Sequence, residues 1–523
     1  MEIKKTRRSF LKSTVAAAST TAVMFPITKS DYSLKASFSD STELFNIVPT
    51  PKYAHIDKAN MIELPTDQPV ILGRSVGYRE NRWAVIPLID TLKIKSLERS
   101  NVKRVLEHST KLPPVCILAG APEDHVELSE IFNRLKRKLP ESSIGYEGYL
   151  LSAGPGGVRI VANTDSGVFY GAQTLLQLVR EDKMVPTAEV ADIPVMAFRG
   201  VHAVFRNPED IPLLEWYIKE ELPRCKANTF ILQIDYNFKF KSHPEIYEEP
   251  MFTASQARSL ARLCRLNNIR LIPLLQCFTH QGRHDRSGYN AFLRAYPHFT
   301  EQLGKEVVSY YSWCTSDPRI IPIACDLIDE YIDAFELDEI HLGMDECLDL
   351  SVCYFCRKKT PAEQFAQIVN GIYDHVTRKR NVRIMIWADR LINGSKTPFD
   401  IWESSFNGTH PAIHMIPKDV FLFPWHYYLN KSYPSVEQFE EAGLDYAVCG
   451  WREKEAIEAL IAYATEHGGR HFQGYLATNW GGFIPMMRYM KDGTIDIENA
   501  DRVKNQIIVN RFGMELAWAG VKK

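Results

Sequence analysis

What the chain lacks narrows its function first. Across 523 residues, 62 Lys and Arg are balanced by 64 Asp and Glu, for a formal net charge of −2. That balance leaves no basic footprint for nucleic acid and no polybasic patch for a membrane surface, and a small or neutral ligand suits it better. Long apolar runs are missing too: the stretch near the N-terminus is far shorter than the roughly 20 residues of a bilayer-spanning helix, and no stable membrane span is expected in the mature chain. Ten cysteines are present, yet Cys353-x-x-Cys356, with Cys347 six residues before it, has no second pair of that spacing and no paired histidines. The pattern permits a disulfide or half of a zinc site, so a local structural clip is expected there and metal catalysis is not. The remaining cysteines lie mostly in apolar segments and read as small core residues.

What is present begins with "KKTRRSFLKSTVAAASTTAVMF", where basic residues precede a short apolar stretch. Arg7 and Arg8, followed by Ser9, Phe10, Leu11 and Lys12, resemble a twin-arginine export signal over residues 1–30. The expectation is a periplasmic or extracellular protein whose mature chain starts between residues 25 and 45. The rest has the composition of an ordinary folded protein, 45% hydrophobic and 24% charged, and is too long for one core, so two or more domains are expected.

Over residues 45–190, "VCILAG" and "GYLLSAGPGGVRIVANTDSGVFYGAQTLLQLV" read as short strands, a Gly-rich turn and a helix from Val168, the mark of a small α+β domain. "ADIPVMAFRG" is the linker, its proline a break. From residue 195 to 523 eight apolar runs recur: 198–205, 227–235, 269–276, 339–346, 382–389, 420–427, 445–451 and 474–480. Amphipathic segments such as "ASQARSLARLCRLNN" and "VEQFEEAGL" separate them. Strand and helix alternating eight times predicts an α/β fold, a (β/α)8 TIM barrel preceded by the small α+β domain.

The polar residues cluster where these runs end: Arg206, Asp235, Gln276, His280, Asp345, Glu346, Trp387, Asp389, Trp425, Tyr427, Trp451, Arg452 and Trp480. In such a barrel the C-terminal strand ends form the active face, so topology gathers acids, aromatics and arginine into one pocket. Four tryptophans at strand ends match aromatic walls for a sugar ring, whose hydroxyls need Asp, Arg and His. Glycosidic cleavage usually needs two carboxyl groups, and adjacent acids repel when both are ionised, raising one pKa. Strand alternation puts Gly343 and Asp345 on one face and Glu346 at the start of the loop.

At these residues the chain resembles a known family. "HLGMDE" is similar to the H-x-G-x-D-E signature of glycoside hydrolase family 20, the β-N-acetylhexosaminidases. The segment before the barrel resembles the small domain that precedes many barrels of that family, and "IPLLQCFTHQG", "WADRL" and "TNW" are nearer its hexosaminidase D-like branch. The resemblance implies an exo-acting hydrolase that releases terminal β-linked N-acetylhexosamine with retention, through a substrate-assisted oxazoline intermediate. It implies Glu346 as general acid and base, Asp345 as the group orienting the acetamido N–H, and Tyr427 as the hydrogen-bond partner of the acetamido oxygen. Arg199 would hold sugar hydroxyls, Trp387, Trp425 and Trp480 would line the pocket, and Asp235, His280 and Asp389 would complete it. The partner implied is a carbohydrate substrate, with no cofactor or metal and no nucleic acid.

Three stretches depart from the family pattern: His202-Ala203 after Arg-Gly, Leu232-Gln233 in the second strand, and Pro273-Leu274-Leu275-Gln276 in the third. They leave the exact sugar open. Two other functions stay open beside the first: a glycan-binding protein that has lost turnover, and a barrel glycosidase for a sugar without the acetamido group.

Overall fold

The computed structural model describes residues 46–73, 82–93, 102–104, 111–141, 143–282, 288–303, 306–307, 311–495 and 497–521. The Arg7–Arg8 segment lies outside them. Among the described residues no helix is long and apolar enough to cross a membrane.

The first unit is a seven-stranded mixed sheet built from β1 (Tyr53–Glu63), β2 (Val70–Leu72), β3 (Val102–Arg104), β4 (Cys116–Gly120), β5 (Tyr149–Gly154), β6 (Gly157–Ala162) and β7 (Met184–Asp192), in the order β1-β7-β5-β6-β4-β2-β3. The predicted Gly-rich turn joins β5 to β6. Gly157 has φ +98°, and a Cβ there would lie 2.2 Å from the Cys116 carbonyl, so only glycine fits. The following helix spans Asp165–Leu178 and starts upstream of the expected Val168, because Thr164 caps it by accepting a hydrogen bond from the Gly167 amide.

The second unit is a closed barrel of eight parallel strands: β8 (Phe198–Val204), β9 (Thr229–Gln233), β10 (Arg270–Cys277), then, after a small hairpin of β11 (Gln302–Leu303) and β12 (Glu306–Val307), β13 (Glu339–Gly343), β14 (Arg383–Trp387), β15 (Phe421–Phe423), β16 (Tyr446–Gly450) and β17 (Phe472–Ala477). All eight expected runs are strands, and all but β10, which runs to Cys277, stop short of the apolar pattern at the end that bears the chemistry. Period-two alternation fills the barrel. Phe198, Ile231, Ile272, Leu274, Met385, Phe421, Phe423 and Leu476 form one buried cluster inside it, and Trp402, Trp451 and Trp480 pack against that cluster while keeping part of their surface open.

A polar joint ties the two units. Asp192, at the end of β7, accepts hydrogen bonds at Oδ2 from Lys226 Nζ (2.7 Å), Trp518 Nε1 (2.8 Å) and Tyr149 Oη (3.0 Å), all within the buried interior. Trp518 comes from the last helix, Ala500–Ala519, and its ring also faces the Arg199 guanidinium at 4.8 Å. Burying charges this deeply is tolerable only because each has partners on both sides of the joint.

Candidate active site

The backbone at the C-terminal strand ends is unusual. Asp235, Phe278, His280, Met344, Glu346 and Arg452 all have positive φ, between 47° and 70°, although none is glycine. Left-handed backbone at non-glycine residues costs about 1–2 kcal/mol each, and it collects here at the rim. It also corrects the alternation expected for the acids. β13 stops at Gly343, whose φ is +68°, and Asp345 and Glu346 sit on the loop beyond it rather than on strand faces. Gly343 is required twice, since a Cβ there would lie 2.1 Å from Gln276 Oε1.

That space lets Gln276 reach the first acid. Gln276 Nε2 donates to Asp345 Oδ1 at 2.8 Å, and His280 Nε2 lies 3.2 Å from Asp345 Oδ2. Tyr311 Oη hydrogen-bonds the far side of the His280 ring. Burial works against charge on both partners, yet their mutual attraction wins. The Asp345 carboxylate draws the His280 pKa up to about 9. Burial alone would raise the Asp345 carboxyl, but His280 charge and the bonds from His280 and Gln276 hold it below its ordinary value. Asp345 is thus a fixed, ionised carboxylate.

Glu346 is held by its backbone. Its amide donates to Asp389 Oδ2 at 2.8 Å, and the same oxygen accepts from Arg390 Nε at 2.7 Å. Asp389 is fully buried and Glu346 only half-buried. Asp389 therefore anchors the loop from below instead of meeting a ligand, which corrects its expected place among sugar-binding residues.

Tyr427 stands on the opposite wall. Trp480 Nε1 donates to Tyr427 Oη at 2.7 Å, and Thr478 Oγ1 lies 3.2 Å from the same oxygen. An indole can only donate, so Tyr427 uses a lone pair there and its own proton is not spent on Trp480. Trp425 stacks on the Tyr427 ring at 5.1 Å, and Trp451 meets it edge-on at 5.4 Å. Beneath, the buried Glu403 accepts the Tyr427 amide at Oε1 (3.2 Å) and faces His426 Nδ1 with Oε2 (3.0 Å). Trp387 and Trp425 are enclosed at 0% and 2% exposure, so they form the floor rather than open walls. Trp402, Trp451 and Trp480 supply the partly open aromatic surface.

The three departures from the family pattern meet at Asp235. His202 Nε2 lies 3.1 Å from Gln233 Oε1, Gln233 Nε2 donates to Asp235 Oδ2 at 2.9 Å, Arg206 Nη2 pairs with that oxygen at 2.6 Å, and the Gln276 backbone amide donates to Asp235 Oδ1 at 3.2 Å. Burial pushes the His202 pKa down to about 4 and the His341 ring well below its usual range, so both are neutral.

Arg199 is the clearest correction. It sits near the start of β8, at the end of the barrel away from the acids, fully buried, with Nη1 2.6 Å from Glu147 Oε2 in the preceding domain. It cannot reach a sugar. At the active end Arg206, just beyond β8, pairs with Asp235; the strand-end pattern marked it and the Arg-Gly resemblance overshadowed it. Tyr311, Glu403 and Trp402 come from loops with no local signal of their role. The structure also changes the thiol grouping: Cys353 and Cys356 are joined by Cys314, and Cys347 instead faces Ser312 Oγ at 3.7 Å.

Comparison with known proteins agrees with this architecture. The model of glycosyl hydrolase family 20, domain 2, matches residues 45–193, and that of the glycosyl hydrolase family 20 catalytic domain matches residues 226–492. A lacto-N-biosidase of Bifidobacterium bifidum is 22% identical over 270 residues, 48% of this chain and 23% of that protein. A beta-hexosaminidase of Porphyromonas gingivalis is 24% identical over 304 residues, 48% of this chain and 37% of that protein. The chain thus spans well under half the length of these curated relatives. Among solved structures, a Flavobacterium johnsoniae chitobiase superposes with TM-score 0.61 at 15% identity, covering 91% of this chain and 74% of that one. A Bacteroides fragilis beta-N-acetylhexosaminidase gives 0.60 at 14% identity, covering 90% of each. With the catalytic-domain model spanning the barrel from β9 through β17, this chain belongs to glycosyl hydrolase family 20.

Proposed function

We propose that the chain is an exo-acting β-N-acetylhexosaminidase that works with retention through the substrate's own acetamido group. The observation that carries this reading is the asymmetry of the two adjacent acids. Asp345 is buried and locked as an anion between His280 and Gln276, whereas Glu346 is half-buried, on a loop anchored through its amide to Asp389. An anion pinned in that way is suited to orient and polarise an acetamido N–H, and Tyr427 offers its proton to the acetamido oxygen. The oxygen then attacks the anomeric carbon as Glu346 protonates the leaving group; Glu346 next removes a proton from the water that opens the oxazoline. Arg206 with Asp235, on the rim, is placed to bind outer hydroxyls.

Hydrolysis of an aryl N-acetyl-β-glucosaminide tests the reading, with a thiazoline mimic of the oxazoline as inhibitor. Turnover with β-configured first product and competitive thiazoline inhibition supports it. Turnover of a sugar without the acetamido group, insensitive to the thiazoline, refutes it in favour of a different barrel glycosidase.

Export is proposed on the Arg7–Arg8 motif alone. Cell fractionation of the full chain and of an Arg7→Lys/Arg8→Lys variant tests it, and cytoplasmic retention of both would reject it.

A further inference from the structure

Two loops of the active face meet at three thiols. Cys314 closes the long segment after β10, the same segment that brings Tyr311 to His280; Cys353 and Cys356 lie in the loop after β13 that carries Asp345 and Glu346. Cys314 Sγ is 3.5 Å from Cys356 Sγ and 3.9 Å from Cys353 Sγ, and all three sulfurs lie within 4.8 Å of one another. A disulfide would need about 2.05 Å. Tetrahedral thiolates about 2.3 Å from a shared zinc ion are about 3.8 Å apart, close to both distances from Cys314.

The surroundings are those of a ligand cluster. The Cys356 amide donates to Cys353 Sγ at 3.3 Å, and Ser316 Oγ and Thr315 Oγ1 stand 3.1 Å and 3.5 Å from Cys356 Sγ. Such contacts orient and stabilise thiolate ligands. The backbone of the loop is held separately: buried Glu301 accepts the amides of Ser351 (3.1 Å), Val352 (2.5 Å) and Cys353 (2.7 Å). Cys353 and Cys356 are buried and Cys314 is half-buried.

We propose that Cys314, Cys353 and Cys356 bind a thiophilic divalent ion of the zinc type, which staples the loop bearing His280 and Tyr311 to the loop bearing Asp345 and Glu346. The ion is structural. It has three protein thiolates and one position for water, and binding releases the thiol protons without any redox step. The sequence pattern had shown only half a site because the third ligand comes from 39 residues before Cys353.

The test is elemental analysis of the untagged chain purified without chelators, before and after dialysis against a chelator and reloading with zinc sulfate. The expected result is one zinc per chain, a lower melting temperature after chelation, and recovery on reloading. Cys314→Ser should bind zinc at least about tenfold more weakly, whereas Cys325→Ser, on the helix Ile320–Phe335, should bind it normally. If Cys314→Ser does not fold, the chelation and reloading of the wild-type chain still decides. No zinc before or after reloading overturns the proposal, as does recovery of a Cys314–Cys356 or Cys353–Cys356 disulfide peptide from the native protein.

Discussion

His280 Nε2 faces Asp345 Oδ2 across 3.2 Å, with Gln276 closing on the other carboxylate oxygen. The pair sets a pH dependence whose sign is determined. His280 rises from 6.5 to about 9 on folding, so its contribution to stability is full below pH 6.5 and disappears as pH climbs through 9. Asp345 is lowered, so its contribution is lost as pH falls through and below the ordinary carboxylate value of 3.8. His280→Gln should lower the melting temperature at pH 6, by an amount equivalent to on the order of 2 kcal/mol, and the gap to wild type should narrow toward pH 9.5. Melting curves across that range check it; a gap independent of pH would contradict the ion pair.

Gly343→Ala tests how the acids are positioned. An alanine at φ +68° is strained by about 1–2 kcal/mol, and its Cβ would displace the Gln276 amide that holds Asp345. The expected variant folds with reduced stability and loses at least about tenfold in kcat, because a misplaced orienting group is felt in the chemical step. Urea unfolding beside steady-state kinetics reads both effects.

Arg199 and Arg206 should separate cleanly. Arg199→Met leaves Glu147 without its buried partner and should destabilise the protein by about 3–5 kcal/mol, with KM unchanged in the folded fraction. Arg206→Met should do the reverse: its side chain is 54% exposed, so stability changes little while KM for the aryl glycoside rises. Denaturant titration and kinetics on the two variants make the comparison.

Much of this was legible in the sequence. The eight runs set the barrel because a parallel strand buried on both sides must be apolar, and the polar residue that ends each run marks the open face. What misled was the assumption that the strand pattern continues to the catalytic residues. β13 and β15 end three and four residues early, and positive φ at Met344 and Glu346 redirects the acids in a way no side-chain periodicity encodes. Arg199 was misplaced because its burial depends on Glu147 and Trp518, from sequence neighbourhoods 52 residues before and over 300 after it. The third thiol was hidden for the same reason: long-range pairing leaves no local trace.

Tyr427→Phe removes the proton held ready by the Trp480 contact. The loss expected is about 100-fold to 1,000-fold in kcat, the size seen when one preorganised donor to a developing charge is deleted. The variant should remain folded, since the ring keeps its stack on Trp425. Single-turnover rates, supported by circular dichroism, provide the check.

The most direct test of the central claim is the rate of Glu346→Gln on two aryl N-acetyl-β-glucosaminides that differ in leaving-group acidity. General acid–base catalysis contributes about 100-fold to 10,000-fold. The predicted result is a loss of that size on the poor leaving group and a clearly smaller loss in the glycosylation step on the good one. Equal activity of Glu346→Gln and wild type on both substrates would contradict the assignment of Glu346, and with it the proposed mechanism.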